Sequence, residues 1–291
     1  MTVSTTGKDH YILTATCPGA PGQVAAVSGF LADRGCYIVE MAQFDDVISG
    51  RFFVRTVYYT DPRKTPPLEQ MKQDFLAVAS RFQMEWAIHD TLARLRVLIL
   101  VSRIDHCLND LLYRYRIGEL KMDIPAVVSN HPDLRQLVEW HGIPFIHLPV
   151  TPKTRADQEA RLWEIIEETA SDLVVLARYM QLLSPELCAQ LHGRAINIHH
   201  SFLPGFKGAR PYHQAFDRGV KVIGATAHYV TADLDEGPII EQVVERVDHS
   251  YYPEHLVAAG RDSENLALAR AVRYHIEHRV FLNGRRTVVF R

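Results

Sequence analysis

The sequence RVLILVSRIDHCLNDLLYRY, residues 96–115, places a continuous apolar run directly before a helical stretch. A strand that is apolar at every position is buried on both faces, which is typical of a parallel sheet with helices on each side. Three more apolar runs follow, at residues 124–130, 144–150 and 172–179, and helical stretches at 105–115, 131–142 and 155–170 alternate with them. The sequence predicts an α/β domain with a mainly parallel sheet, in which ligands bind at the carboxyl ends of the strands.

The first ninety residues have a different order of β-rich and helical stretches. β-rich runs at residues 10–16, 36–44, 51–59 and 84–90 enclose two helical stretches, 23–35 and 68–82. In the first helix Val24, Val27 and Leu31 share one face, and in the second we expect Leu68, Met71, Phe75, Leu76 and Val78 to point inward. This order predicts a ferredoxin-like βαββαβ domain. The boundary falls near residues 89–95.

The composition is that of a globular protein without a bias toward charged partners. The chain has 291 residues, 47% of them hydrophobic and 23% charged, and a formal net charge of -2. This charge gives no electrostatic reason to expect nucleic acid or a membrane as partner. The four cysteines are scattered without a C-x-x-C pair, which indicates neither a zinc knot nor a disulfide framework. We expect a cytoplasmic protein.

A cluster of polar residues ends the apolar run at residues 195–198. Asn197 and His199 point the same way on an extended segment, and His200 points the opposite way unless the strand has already ended. Pro204 and Gly205 then stop regular structure. Polar groups at the end of a buried strand are costly unless they are paired. These polar groups either form hydrogen bonds with one another that stabilise the fold, or take part in a catalysed reaction.

A second polar segment, residues 224–242, contains His228 on a strand and a loop with Asp233, Asp235 and Glu236. An amide donor that holds an oxyanion, a histidine that moves a proton and a carboxylate that orients water suit acyl chemistry. Each residue also has a structural interpretation. His228 can be a satisfied core histidine, Asp235 part of a turn, and Asn197 a cap.

A metal site is an alternative for the same residues. His199, His200, His228 and Asp235 are of the types that bind zinc. Adjacent histidines on an extended segment diverge, however, and the sequence has no H-E-x-x-H pattern. We therefore favour acid–base chemistry over a metal centre.

At these residues the sequence resembles the folate-dependent formyltransferases. The stretch Asn197-Ile198-His199-His200-Ser201-Phe202-Leu203-Pro204 is similar to the family's N-I-H-x-S-x-L-P motif, and residues 224–238 are similar to its G-x-x-x-H-x-V-x-x-x-x-D-x-G-P motif. The resemblance covers residues 94–291 and implies a Rossmann-like catalytic domain. It also implies that Asn197 and His199 surround the formyl carbonyl and that Asp235 organises water or proton transfer.

The resemblance extends to supporting residues. It implies that His228 supports the catalytic trio, and that residues 176–187 form the folate pocket, with Met180, Gln181 and Leu183 near the pterin and Asp233 also in contact with folate. For His200 we consider two roles, shaping the water side of the pocket or making a structural hydrogen bond.

The stretches TATCPGAPGQ (14–23), SGRFFVR (49–55) and MDIPAVVSNHPDLR (122–135) are similar to those of the formyltetrahydrofolate deformylases, in which an ACT domain precedes the formyltransferase-like domain. This resemblance covers nearly the whole chain. This implies an ACT-like regulatory domain at residues 1–88, a linker at 89–94 and a catalytic domain at 95–291. In the first loop Gly19 and Ala20 replace the usual acidic–basic pair. The implied reaction is hydrolysis of 10-formyltetrahydrofolate to formate and tetrahydrofolate, which supplies one-carbon and purine metabolism. Folate is then the substrate, and neither a metal nor an organic cofactor is required.

Two alternatives remain at this point. One is a formyltransferase to a small amine, with an acceptor pocket around residues 102–109. The absence of glycine between Leu95 and Ile117 argues against a phosphate cradle there, since such cradles rely on glycine-rich loops. The other is an amino-acid-binding regulatory protein with an inactive catalytic domain. As partners we expect the folate, an amino-acid effector at the ACT domain, and a second copy of the chain in a dimer or tetramer.

Overall fold

The computed structural model describes residues 10–203 and 211–291. The chain forms two compact units: Met1–Ala93 with His278–Asn283 and Val288–Arg291, and Arg94–Glu277 with Gly284–Thr287. The predicted catalytic domain, 95–291, differs from this division because two C-terminal segments belong to the first unit. Arg279 lies 3.3 Å from Glu40, and Asn283 donates to Asp46 over 2.6 Å.

The first unit is an antiparallel sheet with two helices, as predicted. Its elements are β1 (His10–Pro18), α1 (Gln23–Asp33), β2 (Tyr37–Asp46), β3 (Arg51–Tyr59), α2 (Leu68–Phe82) and β4 (Glu85–Asp90). The sheet order is β2-β3-β1-β4, which confirms the ferredoxin-like arrangement. Its core lies between the sheet and the helices and includes Leu13, Leu31 and Phe75, each fully buried. Because β4 continues to Asp90, the predicted linker at 89–94 begins inside a strand.

The second unit begins with alternating strands and helices, as the apolar runs indicate. The elements are β5 (Leu95–Val101), α3 (His106–Arg116), β6 (Met122–Asp123), β7 (Val127–Ser129), α4 (Arg135–Trp140), β8 (Phe145–His147), α5 (Arg155–Glu168), β9 (Leu173–Leu176), α6 (Pro185–Gln190), β10 (Ala195–His199), α7 (Pro211–Asp217), β11 (Val222–Tyr229), β12 (Ile239–Arg246) and α8 (Pro253–Ile276). A short hairpin of β13 (Val280–Asn283) and β14 (Arg286–Val289) ends the chain. No helix in the described ranges is long and apolar enough to cross a membrane.

The sheet of the second unit has the order β12-β11-β10-β9-β5-β7-β8. The strands from β8 to β10 pair in parallel, and β11 and β12 are antiparallel. Val97–Val101 of β5 are fully buried, because helices cover both faces of the sheet. This confirms the predicted mainly parallel α/β domain.

The order of the strands reverses beside β5. The chain passes from β5 to β7 on one side and later returns to β9 on the other side. In open α/β sheets the crevice for ligands lies at such a reversal, outside the carboxyl ends of the strands. The segments that follow β5, β9 and β10 all leave the sheet at this edge.

Candidate active site

The register of two neighbouring strands brings the predicted polar residues together. β10 lies between β9 and β11, and Asn197 on β10 is paired with His228 on β11. Asn197 Nδ2 lies 3.3 Å from His228 Nε2. His199, two residues further along β10, is on the same face of the strand. The two sequence motifs therefore meet at one edge of the sheet.

Asp235 returns from the loop after β11 and contacts both histidines. Its Oδ2 lies 3.2 Å from His199 Nδ1, and its Oδ1 lies 3.7 Å from His228 Nε2. The backbone of Asp235 is in the left-handed region, with φ of 57°. Among non-glycine residues Asp tolerates this conformation better than most, and such backbone is frequent at functional sites. The conformation aims the carboxylate back toward the end of β10.

The Asp235 carboxylate is held in its ionised form. Burial by itself raises the pKa of this group, but the contacts with His199 and His228 outweigh burial and hold the pKa well below its ordinary value. The side chain is 15% exposed. A negative charge therefore sits beside two imidazoles throughout the neutral pH range.

Gly237 allows the loop to pass close to His228. A Cβ atom at this position would overlap the carbonyl oxygen of Tyr229 and crowd the His228 ring. His228 Nδ1 in turn lies 2.9 Å from that carbonyl oxygen. The glycine of the second motif is thus required by the close approach of two backbone segments that position His228 and Asp235.

His200 lies beyond the end of β10, so the alternation of the strand no longer sets its direction. Its ring stacks on His199, with 4.9 Å between ring centroids and 25° between planes. Burial, and then the charge of Arg178, lower the pKa of His200 to about 4. His200 is therefore neutral at physiological pH. His199 also contacts Ser201, with 2.9 Å between Nε2 and Oγ.

A cavity of about 550 Å³ lies over this cluster. Its lining includes all nine of the predicted site residues: Asn197, His199, Asp235, His200, His228, Met180, Gln181, Leu183 and Asp233. The predicted folate segment and the polar cluster therefore share one cavity. The roles that the resemblance implies for these residues stay predictions. Pro204 and Gly205 lie outside the described residues.

Hydrogen bonds from other elements hold the segment that follows β9. Met180 N donates to Ser102 Oγ over 3.0 Å, and Ser102 donates to Asn130 Oδ1 over 2.7 Å. Arg155 on α5 donates to the carbonyl oxygen of Leu182 over 2.6 Å. Ser102 and Asn130 are nearly fully buried. These contacts tie one wall of the cavity to the end of β5.

The four residues considered for a metal do not form a compact ligand group. In the described part of the chain, three potential ligand atoms lie within 4.8 Å of one another at His106, Cys107 and Glu264. The Arg178 guanidinium lies 3.4 Å from Glu264 of that group. Such a nearby positive charge opposes binding of a cation.

The sequence matches the formyl transferase family model over residues 95–272. The formyltetrahydrofolate deformylase of Corynebacterium sp. (strain P-1) is 53% identical, and the match covers 97% of this chain and 98% of that protein. The crystal structure of the Burkholderia mallei formyltetrahydrofolate deformylase is 60% identical with a TM-score of 0.93, covering 97% of this chain and 100% of that one. This chain belongs to the formyltetrahydrofolate deformylases. The resemblance found in the sequence is thereby confirmed.

A transformylase gives a more limited match. The glycinamide ribonucleotide transformylase 1 of Symbiobacterium toebii is 31% identical with a TM-score of 0.64, covering 68% of this chain and 95% of that one. The deformylases match nearly the full length, so the two alternative functions are not favoured. Ser102, in the segment considered for an amine acceptor, accepts a hydrogen bond from the backbone N–H of Met180 in the predicted folate segment.

Sequence reasoning missed the residues that support the cavity of this deformylase. Ser102 and Arg155 contact the predicted folate segment, and Glu264 contacts Arg178 within that segment, across long sequence separations. Position at the carboxyl end of a strand is a signal that could have drawn attention to Ser102 and Arg178, since each follows a buried apolar run. No pattern in the sequence indicates Glu264, which lies within a long helix.

Proposed function

We propose that this chain hydrolyses the N10-formyl group of 10-formyltetrahydrofolate to formate and tetrahydrofolate, with Asn197, His199 and Asp235 as catalytic residues. The enzyme is then a hydrolase that acts on an amide-type C–N bond. The observation that carries the proposal is the ionised Asp235 carboxylate against His199 in a cavity shared with the predicted folate segment. The names of the full-length relatives support the substrate.

The first step is attack of water on the formyl carbon. Asp235 takes hydrogen bonds from the water and turns its oxygen toward the carbon, as a carboxylate base does. The carbonyl oxygen becomes negative in the tetrahedral intermediate. Asn197 Nδ2–H and a His199 N–H are the donors that stabilise it, and one such donor is typically worth about 3–4 kcal/mol.

The second step breaks the bond between the formyl carbon and N10. A proton taken from the attacking water passes through the Asp235–His199 pair, which is 3.2 Å apart, to N10 as the C–N bond breaks. The remaining proton of the new formic acid is lost to solvent, because a carboxylic acid is ionised at neutral pH. The products are formate and tetrahydrofolate. His228 and His200 support the trio, and Met180, Gln181, Leu183 and Asp233 bind the folate.

These residues supply an oxyanion donor, a base and a proton path, so we propose that the reaction needs no metal and no organic cofactor. We place the reaction in one-carbon and purine metabolism, in the cytoplasm. Formyltetrahydrofolate, which the names of the relatives contain, carries a one-carbon unit.

We further propose that the first unit is an ACT-like regulatory domain that binds an amino-acid effector. A cavity of about 720 Å³ there is lined by residues 19–25 and by Gln43, Asp45 and Phe52. The Asp45 carboxylate suits an α-ammonium group. We also propose that two copies pair through the edge strand β2, since Tyr37 and Val39 on it are 58% and 56% exposed. Pairing would cover an edge that is otherwise open.

The decisive experiment measures formate release from 10-formyltetrahydrofolate without any amine. We expect release by the wild type and a loss of at least about a hundredfold in kcat for Asp235→Asn, which keeps the shape and removes the base. Glu236→Gln, in the same loop but half-exposed and paired with Arg285, is the matched control and should retain the wild-type rate. A folded wild type that binds folate and releases no formate would refute the proposal.

A further inference from the structure

Arg178 reaches the catalytic cavity from the end of β9. It lines the cavity together with Asn197, His199 and His200. Its backbone is in the left-handed region, with φ of 63°, and its side chain is 11% exposed. A buried arginine in an unfavourable backbone conformation needs a reason, because neither feature stabilises the fold by itself.

Glu264 forms a buried ion pair with the Arg178 guanidinium. Glu264 lies on α8, is 2% exposed, and places Oε2 3.4 Å from Arg178 Nε. Two further groups contact the same carboxylate, His106 Nε2 at 2.9 Å and the Tyr212 hydroxyl at 3.0 Å. Burial raises the pKa of Glu264, but these partners outweigh it and keep the carboxyl ionised. The position of the guanidinium is thus fixed by a buried negative charge.

The ion pair leaves donors of Arg178 for a ligand. A guanidinium has five N–H donors, and the contact with Glu264 is made at Nε. Nε itself is buried, so the exposed part of the side chain lies elsewhere. Across residues 10–203 and 211–291, no hydrogen bond engages the terminal amino groups. By contrast Arg155, the other arginine among the described residues that line the cavity, donates to Leu182 O.

The reaction creates a need for such a cation. Its product is a carboxylate, formed beside the ionised Asp235, and two negative charges in a partly buried cavity repel each other strongly. His200 does not offset this charge, because burial and Arg178 keep it neutral. Arg178 is a permanent positive charge close to His200. Its planar fork also matches a carboxylate in shape.

We propose that Arg178, positioned by Glu264, forms a carboxylate subsite that receives the formate ion once the formic acid released from N10 has lost its proton. This inference rests on the proposed hydrolysis, since it assigns the place of one product. The subsite takes a small planar carboxylate and holds it on the side of the cavity next to His200. Release of tetrahydrofolate can then follow without the formate being forced against Asp235.

The test measures inhibition of hydrolysis by added sodium formate, with sodium chloride at the same ionic strength as reference. We expect Arg178→Gln to raise the inhibition constant for formate at least tenfold, and by a larger factor than it raises the KM for 10-formyltetrahydrofolate. Arg178→Lys keeps the charge but loses the fork, so we expect an intermediate rise. Arg155→Gln is the matched control. We expect this variant to have a higher KM for 10-formyltetrahydrofolate and an unchanged inhibition constant for formate.

A second variant and a direct measurement separate the possible failures. Glu264→Gln keeps the size of the side chain and should raise the formate constant several-fold through the loosened guanidinium. Binding of ¹³C-formate to the enzyme with tetrahydrofolate, followed by NMR, needs no turnover and so tests the subsite even if hydrolysis fails. If folded Arg178→Gln binds formate as tightly as the wild type, the subsite is refuted while the hydrolysis proposal stands.

Discussion

Asn197 and His228 face each other across the antiparallel strands β10 and β11, with 3.3 Å between Nδ2 and Nε2. The other ring nitrogen of His228 lies 2.9 Å from the carbonyl oxygen of Tyr229. A carbonyl oxygen can only accept, so Nδ1 carries a proton. In the neutral ring Nε2 accepts from Asn197, and only the imidazolium form donates from Nε2 to the Asp235 carboxylate, 3.7 Å away. The backbone thereby fixes the tautomer of His228, and the tautomer fixes the orientation of the Asn197 amide.

This relationship predicts different effects for two substitutions of His228. His228→Gln places an amide group where Nε2 stood and can still accept from Asn197. His228→Asn retains a donor near Nδ1 but leaves Asn197 without its partner. We expect kcat to fall about tenfold in the Gln variant and about a hundredfold in the Asn variant, since a misplaced oxyanion donor costs that much.

Steady-state kinetics on the two His228 variants provide the check. KM should stay within about threefold of the wild type in both, because His228 acts on the amide of Asn197 rather than on the folate. Equal losses of kcat in the two variants would contradict the orienting role of His228.

Ser102 joins the folate segment to β5 and should affect both stability and binding. Ser102→Ala leaves the buried Oδ1 atom of Asn130 and the partly buried N–H of Met180 without their partner. A buried polar group that loses its partner costs about 1–3 kcal/mol. We expect the free energy of unfolding to fall by that amount and the KM for the folate to rise, with kcat less affected.

The control for Ser102 is Ser28→Ala. Ser28 is on helix α1, where its hydroxyl donates to the carbonyl oxygen of Val24 at an exposed position. Its removal should change the free energy of unfolding by less than about 0.5 kcal/mol. Urea unfolding of both variants makes the comparison. A Ser102→Ala protein as stable as Ser28→Ala, with unchanged KM, would show that Ser102 does not support the segment.

The sequence predicts that Asn197, His199 and Asp235 lie together, because strand alternation and the two motifs can both be recognised within short stretches of sequence. It does not predict contacts such as Arg178 with Glu264 or Ser102 with Met180, because these depend on how separate elements pack. No periodicity within one segment carries that information.

Helix phase shows a similar limit. The sequence places Val24 on one face with Val27 and Leu31 and predicts that Leu76 points inward, but Val24 and Leu76 are 40% and 47% exposed. In α1 the buried face instead follows Gln23, Val27, Phe30 and Leu31. Gln23 is buried because its amide donates to the carbonyl oxygen of Pro18 over 2.6 Å. A buried glutamine rotates the inward face by one residue, and apolar spacing does not reveal it.

Buried neutral histidines should make stability depend on pH. Burial lowers the pKa of His275 to about 4, and its Nδ1 lies 2.7 Å from the hydroxyl of Tyr229. The unfolded chain binds a proton on this residue below about pH 6.5, whereas the folded chain does not until about pH 4. Stability is therefore lost as the pH falls through this window. One such group contributes about 1 kcal/mol between pH 6 and pH 5.

Urea unfolding at pH 7, 6 and 5 tests this effect. We expect the loss of stability from pH 6 to pH 5 to be smaller in His275→Gln than in the wild type by about 1 kcal/mol. The exposed His249 is the control, and His249→Gln should retain the full pH dependence. Asp235 does not interfere, because its lowered pKa places its own effect at more acidic pH. A His275→Gln protein with the pH dependence of the wild type would contradict the assignment.

Gly237 and Gly29 offer a matched pair for the last prediction. A Cβ atom at Gly237 would overlap the carbonyl oxygen of Tyr229, whereas at Gly29, inside α1, a Cβ atom would have no atom within 4 Å apart from its chain neighbours and the adjacent backbone of its own helix. Gly237→Ala must displace backbone that positions both His228 and Asp235, and strain of this kind typically costs about 1–3 kcal/mol. Gly29→Ala should instead stabilise the helix by about 0.5–1 kcal/mol, since alanine is the better helix former.

Urea unfolding and formate release are measured on both variants. We expect Gly237→Ala to lose stability and most of its kcat, and Gly29→Ala to gain stability at the wild-type rate. Full activity in Gly237→Ala would show that the close approach of the loop to Tyr229 does not set the position of Asp235.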